Sequence, residues 1–406
     1  MRVLLTGSAV PPVPDGAWPA GESSSPPAPA GPMLDDVTGW WAPHATVETV
    51  ALAASGPAFL DAVAPVAAEV LAGVVPGPGG NDVPVAVRRR APGGDGDGTR
   101  RTVYVDASQV PATGAGELLE GDAGAVTVPA RSSTAVGHLL ALAAEAARGP
   151  DGAPGRVVLA TGGSTSHDGG LGALLALAGG PERVGGLPTA VPADVVRTAR
   201  AALGGTDLVA AVATDVPLLG LHGASAALGP RGVDPAVAQH LERALGAVAH
   251  DVASAVDRVA ADDRDPGGAL AGRDLFAAST AGRRLAGLPG AGSGGGLAHA
   301  VVALGGRLVP ALRVVADDLG LDARLAAADV VVVLVDELGA HELGDGTVHE
   351  VASRAGRHAL PVVVLGRAVV AGRREQAAAG LSGAYPWGDG DPRALVERVA
   401  RTWSRG

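Results

Sequence analysis

The sequence predicts an α/β protein of two domains with mainly parallel sheets, and three observations predict it. Short valine-rich apolar runs alternate with longer stretches of helical periodicity, the order that βαβ units impose. The 406 residues are more than one hydrophobic core ordinarily organises. Hydrophobic residues make up 47% of the chain and aromatics only 2%, so small and branched aliphatic side chains have to fill the core.

Each element follows from its own pattern. Arg2–Thr6 reads as the first strand. From Pro11 to Pro32, proline, alanine, glycine and serine displace periodic apolar residues and bury too little surface to offset chain entropy, which predicts a loop or disordered insert. The spacing of Leu60, Val63, Val66 and Val70 predicts a helix over Phe59–Val74, stopped by the proline and glycine run from Pro76 to Gly80, where a hinge between domains is expected. Val83–Arg90 and Thr102–Asp106 alternate as strands joined by a Gly93–Gly98 turn. A helix carrying Val136, Leu139, Leu140 and Ala143 starts near Ser132, capped by Ser133 or Thr134. Arg156–Ala160 and Asp207–Val212 are buried strands, and Asp234-Pro235 opens a long helix whose stripe runs from Val237 to Val259. Asp329–Val335 reads as a strand, Thr347–Arg357 as a helix, Pro361–Leu365 as the last strand and Pro392–Trp403 as the closing helix.

Composition narrows the chemistry. A formal charge of −11 speaks against nucleic acid or an acidic membrane as the partner. The chain has no cysteine, which excludes disulfides, thiolate metal sites and a cysteine nucleophile. All 31 basic residues are arginine, so phosphate chemistry falls to arginine, backbone or metal. No apolar window is long enough to span a bilayer, and the amino end lacks a basic region followed by a hydrophobic one, so a cytoplasmic location is expected.

The run from Arg156 to Leu171 concentrates the functional signal. A buried strand feeds a Gly/Ser/Thr-rich loop that leads directly into a helix, Leu171–Ala178. That junction aims backbone N–H groups and a helix dipole at the carboxyl edge of a sheet, which suits an anion held at the helix start. Gly162, Gly163, Gly169 and Gly170 let backbone approach a ligand, Ser164, Thr165 and Ser166 add hydroxyls, and His167 and Asp168 add titratable groups. This exceeds what a tight turn with one cap requires. Asp215 follows strand Asp207–Val212 as Asp168 follows its own strand, so both carboxylates are expected at one crevice, facing one ligand or one metal ion. Gly290-x-Gly292-x-x-Gly295 formally fits a dinucleotide fingerprint. No strand precedes it, so a phosphate-facing helix start at Gly290, Gly292 and Gly294, or a close helix contact, is the better reading, and a nucleotide-dependent oxidoreductase ranks third among the functions considered.

The block Gly162-Gly163-Ser164-Thr165-Ser166-His167-Asp168-Gly169-Gly170 resembles the Gly-Gly-Ser-x-Thr-x-Asp-Gly-Gly signature of the bacterial glycerate kinase family. Ala213–Gly220, Gly223–Gly232, Pro289–Leu297 and Leu319–Asp329 resemble further blocks of that family, in family order. The resemblance implies a flavodoxin-like domain, residues 81–286, inserted into a Rossmann-like outer domain formed by 1–80 and 287–406. It also implies ATP-dependent phosphorylation of D-glycerate with Mg²⁺, D-glycerate and nucleotide being the partners. Asp168 would serve as base or orienter of the acceptor hydroxyl and Asp215 as a polar or metal-linked partner. Gly162, Gly163, Ser164, Thr165, His167, Gly169, Gly170, Gly290, Gly292 and Gly294 would bind substrate or phosphate. Other family motifs are altered: Gly7-Ser8-Ala9-Val10-Pro11 stands after the first strand, and Val333–His341 replaces an acidic, Arg-bearing block. A relative that binds ligand without turnover is therefore the alternative, unless Asp336, Glu337 or His341 replaces what is missing.

Overall fold

The computed structural model describes residues 1–7, 34–77, 80–90, 100–121, 124–180, 191–264 and 284–404. Ser8, the Pro11–Pro32 stretch and the Gly93–Gly98 turn lie outside the described residues.

Two sheets divide the chain. Strands β1 (Arg2–Gly7) and β2 (Thr46–Ala51) begin the first. The chain then leaves it for a second sheet with β3 (Glu69–Pro76), β4 (Asp82–Arg90) and β5 (Thr102–Asp106). A separate hairpin follows, β6 (Thr113–Gly121) and β7 (Gly124–Arg131), and then β8 (Arg156–Ala160), β9 (Asp207–Val212) and β10 (Arg307–Pro310) complete the second sheet. The first sheet is finished by β11 (Val330–Leu338), β12 (Val362–Val369) and β13 (Gly383–Pro386). Its order is β13-β12-β11-β1-β2 and every pairing is parallel. The second runs β10-β9-β8-β5-β4-β3, parallel from β10 to β5 and antiparallel at β4 and β3. The fold is thus α/β with two mainly parallel sheets, one inserted between β2 and β11 of the other.

Three local readings change. Only Pro57–Ala62 is helical in the Phe59–Val74 segment, and β3 begins at Glu69. Val70, Val74 and Val75 are β-branched and pair with Arg88, Pro84 and Val83 of β4, so strand pairing overrides their helical spacing. Strands β3 and β10, assigned from sequence to the outer domain, hydrogen-bond within the inserted sheet. The chain changes sheet between Ala51 and Glu69, and again between Pro310 and Val330. Pro361–Leu365 lies in β12 but is not the last strand, because the four-residue β13 pairs at the edge.

The alternation of side chains along the strands sorts the core into layers. Val3, Leu5, Val330, Val332 and Val363 face helices Leu34–Trp41 and Pro392–Trp403. On the opposite face Leu4, Val331, Val333 and Val364 pack against helices Pro57–Ala62, Ala311–Asp318 and Thr347–Arg357. That same cluster takes in Tyr104, Val158 and Val209 of the second sheet. The two sheets therefore share one apolar layer, in which the Phe59 and Tyr104 rings lie 6.5 Å apart. The outer face of the second sheet packs under helices Thr134–Ala147, Leu171–Leu177 and Val195–Leu203.

Polar contacts converge on Asp318 across the shared layer. Fully buried Tyr104 donates to Asp318 Oδ2 at 2.9 Å, and Arg90 approaches Asp318 Oδ1 at 3.4 Å. Burial and the Asp318 carboxylate push the Tyr104 phenol well above its ordinary value, so it stays a donor. Tyr104→Phe leaves a half-buried carboxylate oxygen without its tyrosine donor and should cost ~1 kcal/mol. Equilibrium urea unfolding should show a lower midpoint with an unchanged slope.

Candidate active site

Two glycine-rich loops build the site at the carboxyl edge of the second sheet. The first runs from Thr161 to Gly170, between β8 and helix Leu171–Leu177. The second runs from Gly290 to Gly296 ahead of the regular turns of helix Ser293–Ala303. They are clasped together: Ser166 Oγ donates to Gly294 O at 2.7 Å, Gly169 N donates to Gly295 O at 3.0 Å, and the Thr161 and Ser293 hydroxyls lie 2.7 Å apart. Gly295 is required there. Its φ is +61° and a Cβ would run into the Ser166 carbonyl oxygen.

The clasp leaves a cleft of about 130 Å³, open to solvent. Gly162–His167 line one side and Gly292–Gly295 the other, with Arg131 and Thr214 adding polar groups and Ala224 and Leu228 an apolar wall. The amides of Gly163, Ser164 and Thr165 have no acceptor among the described residues. Arg131 stands at the end of the β7 hairpin, is 7% exposed, and is bolted to the loop twice. Its carbonyl accepts from His167 N at 2.9 Å and its Nη1 donates to Thr165 O at 3.3 Å. His167 Nε2 lies 3.1 Å from the buried Ser225 hydroxyl. Burial, helped by the Arg131 charge, pushes the imidazole down to about 4, so it is neutral near pH 7. Arg131 is then the only charged side chain lining the cleft among the described residues.

Of the residues singled out from sequence, Gly162, Gly163, Ser164, Thr165, His167, Gly292 and Gly294 line this cleft. Gly169, Gly170 and Gly290 do not. They sit behind it, packed against Val248, Ala300 and Val212. Asp168 and Asp215 are not brought together. Asp168 is closed inside the protein: Oδ1 accepts from Gly170 N at 3.0 Å, and Oδ2 from Ser133 N, Ser133 Oγ and Gly172 N at 2.8–3.0 Å. Burial raises its pKa and these four donors oppose the rise. Asp215 is exposed outside the cleft lining, and its carbonyl accepts from Gly290 N at 2.8 Å.

The expected anion site at the start of helix Leu171–Leu177 is corrected by the same contacts. Asp168 takes the Gly170 and Gly172 amides and Ser133 Oγ takes that of Ala173 at 2.9 Å, so the chain's own groups occupy the helix terminus. Backbone for an anion is offered instead by Gly163–Thr165, one turn earlier.

Sequence reasoning missed Arg131, Thr214, Ser293 and Asp106. Arg131 carried one signal, as the lone basic residue between Arg101 and Arg148. Asp106 ends β5 as Asp215 follows β9, and Ser108 places it beside the cleft: Asp106 accepts from Ser108 N at 2.9 Å and Ser108 Oγ at 2.8 Å, while a Cβ at Gly163 would stand 3.2 Å from Ser108 Cβ. No group of three or more His, Cys, Asp or Glu side chains among the described residues could hold a metal ion.

The sequence model of the glycerate kinase family matches residues 22–402. The chain belongs to the glycerate kinase family. Its fold is similar to the crystal structure of a "putative glycerate kinase 2" from Salmonella typhimurium LT2, with a TM-score of 0.60 and 20% identity over 100% of this chain and 97% of that one. Comparison with curated proteins finds no match. Family membership makes this a kinase-type protein, and no helix among the described residues is long and apolar enough to cross a membrane.

Two expected outcomes test this geometry. Gly295→Ala forces a left-handed alanine into a backbone carbonyl and should cost more than ~2 kcal/mol, seen as a lowered melting temperature. The second concerns pH. Burial raises Asp106 to about 6 against an ordinary 3.8, so the stability it carries is full below pH 3.8 and is lost as pH rises through about 6. His167, lowered from 6.5 to about 4, works in the opposite sense: its contribution is full above pH 6.5 and is lost as pH falls through about 4. In the parent protein the two nearly cancel. Asp106→Asn removes one of them, so between pH 6.5 and 4 the variant should lose ~3 kcal/mol more than the parent, as measured by urea midpoints across that range.

Proposed function

We propose that this chain transfers the terminal phosphoryl group of ATP to a hydroxyl of D-glycerate, giving a phosphoglycerate. The observation that carries the reading is the pair of clasped glycine loops, which present backbone amides, hydroxyls and one guanidinium to one solvent-open cleft. The lining of amides, hydroxyls and a guanidinium around this solvent-open cleft suits an anionic, hydroxylated acid.

Phosphoryl transfer asks the protein mainly for positioning and electrostatic stabilisation. Gly163–Thr165 amides and Arg131 hold the anion, and Ser164 and Thr214 orient the acceptor hydroxyl. Asp168 acts one step removed: it fixes the loop to Ser133 and to helix Leu171–Leu177, a positioning role in place of the base expected from sequence. The family implies ATP and Mg²⁺. The cleft offers no carboxylate to a metal, so the residues described here do not fit Mg²⁺ within it, and no step is assigned to the ion.

A second reading, a family member that binds the acid without turnover, draws on a specific observation. Asp336, a candidate to replace the altered carboxyl-terminal motif, is engaged by Arg367 through two hydrogen bonds of 2.9 and 2.8 Å. A coupled assay of ADP release separates the two. Release that depends on D-glycerate supports the kinase; saturable D-glycerate binding with none supports the second reading. Asp215→Ala should keep turnover within about twofold, since its exposed carboxylate lies outside the cleft. Asp168→Asn should lower it by about tenfold or more by loosening the loop.

A further inference from the structure

We propose that β3 is an interface between two copies of this chain: its open edge pairs antiparallel with β3 of a second copy about a twofold axis at Ala72, which joins the two inserted sheets into one. The inference is independent of the kinase reading and concerns the end of the inserted sheet opposite β10.

Strand β3 ends that sheet and pairs on one side, with β4. Two bonds show which of its backbone groups are left over. Gly77 N donates to Asn81 O at 2.7 Å, continuing the β3–β4 register as a hydrogen-bonded pair. Ala86, opposite Ala72, donates its N–H away from β3, to Gln109 Oε1 at 2.8 Å. Antiparallel ladders alternate hydrogen-bonded with non-hydrogen-bonded pairs, so the N–H and C=O groups of Val70, Ala72 and Val74 point away from β4. They meet no further strand among the described residues.

Edge strands are ordinarily protected by charge, a bulge or short length. Strand β3 has eight residues, an unbroken register and no charged residue after Glu69. Its side chains sort by face. Leu71 and Val75 pack into the core under helix Thr134–Ala147, where a Cβ at Gly73 would meet Leu142. Val70 and Val74 lie on the other face, 53% and 57% exposed. Self-complementarity identifies the occupant as a second copy. With Ala72 opposite its twin, Val70 of each copy falls opposite Val74 of the other, so the residues with outward groups meet one another. Each of these pairs closes two hydrogen bonds, and the exposed valines cover each other. A register moved by one residue would set outward groups against inward ones and close none.

Sedimentation velocity of the full chain, across a wide range of concentration, should show a dimer. Ala72→Pro removes one outward N–H and no bond to β4, and Val74→Lys sets a charge on the edge. Both variants should lose the dimer while keeping the parent's circular dichroism. The chain has no cysteine, so an engineered one reports by itself. Ala72→Cys should give a disulfide-linked dimer on mild oxidation, because the paired Cα atoms would lie ~5.5 Å apart. Val70→Cys and Val74→Cys should link when mixed and far less when separate. These cysteine variants decide the matter should the proline or lysine variant not fold. A monomer at every concentration would overturn the proposal, as would a dimer that persists in both edge variants, which places the interface elsewhere. Dimer loss without cross-linking at position 72 refutes the twofold register, and assembly beyond a dimer refutes a pairing that closes on itself.

Discussion

One buried carboxylate organises the active region. Asp168 gathers amides from Gly170 and Gly172 and both polar groups of Ser133, and Ser133 in turn holds Ala173. These contacts bind the starts of helices Thr134–Ala147 and Leu171–Leu177 to the end of the glycine loop. Two backbone segments distant in sequence, at Ser133 and at Gly170–Gly172, meet on one side chain. Three of these bonds fall on its Oδ2 and one on its Oδ1, and together they offset part of the cost of burying the group. The loop that lines the cleft hangs from that anchor at one end and from β8 at the other.

The anchor also explains why the cleft is built from backbone rather than from reactive side chains. With the loop pinned behind, its middle, Gly163–Thr165, lines the cleft with amides that have no acceptor among the described residues, and the facing Gly294 and Gly295 come close enough to hydrogen-bond across. The site's electrostatics come from oriented peptide groups and one guanidinium. Chemistry of this kind needs no strongly shifted catalytic acid or base, which agrees with a reaction whose transition state is mostly a matter of charge placement.

Much of this was legible in the sequence, and the remainder was hidden for identifiable reasons. Thr347–Arg357 and Pro392–Trp403 were read with the bounds the structure gives, because helical periodicity is a local property. The segment after Ala62 was misread because valines spaced for a helix also suit a strand, and only the pairing partner on β4 decides between them. The glycine loop lines the cleft, whereas Asp168 is held inside the protein away from it. A carboxylate inside a polar motif looks like a ligand group until Ser133, 35 residues away, is seen to fill it. Arg131 reaches the cleft through the β6–β7 hairpin, a route that no short motif records.

The apolar layer common to both sheets bears on how this protein can move. A two-lobed protein can clamp a ligand by swinging one lobe against the other across a wet crevice. Here Leu4, Val333 and Phe59 belong to the same dry cluster as Val158 and Val209, so a swing of that kind would wet greasy surface at ~25 cal/mol for each Å² uncovered. Uncovering that shared layer is therefore the cost that any relative movement of the two sheets has to meet.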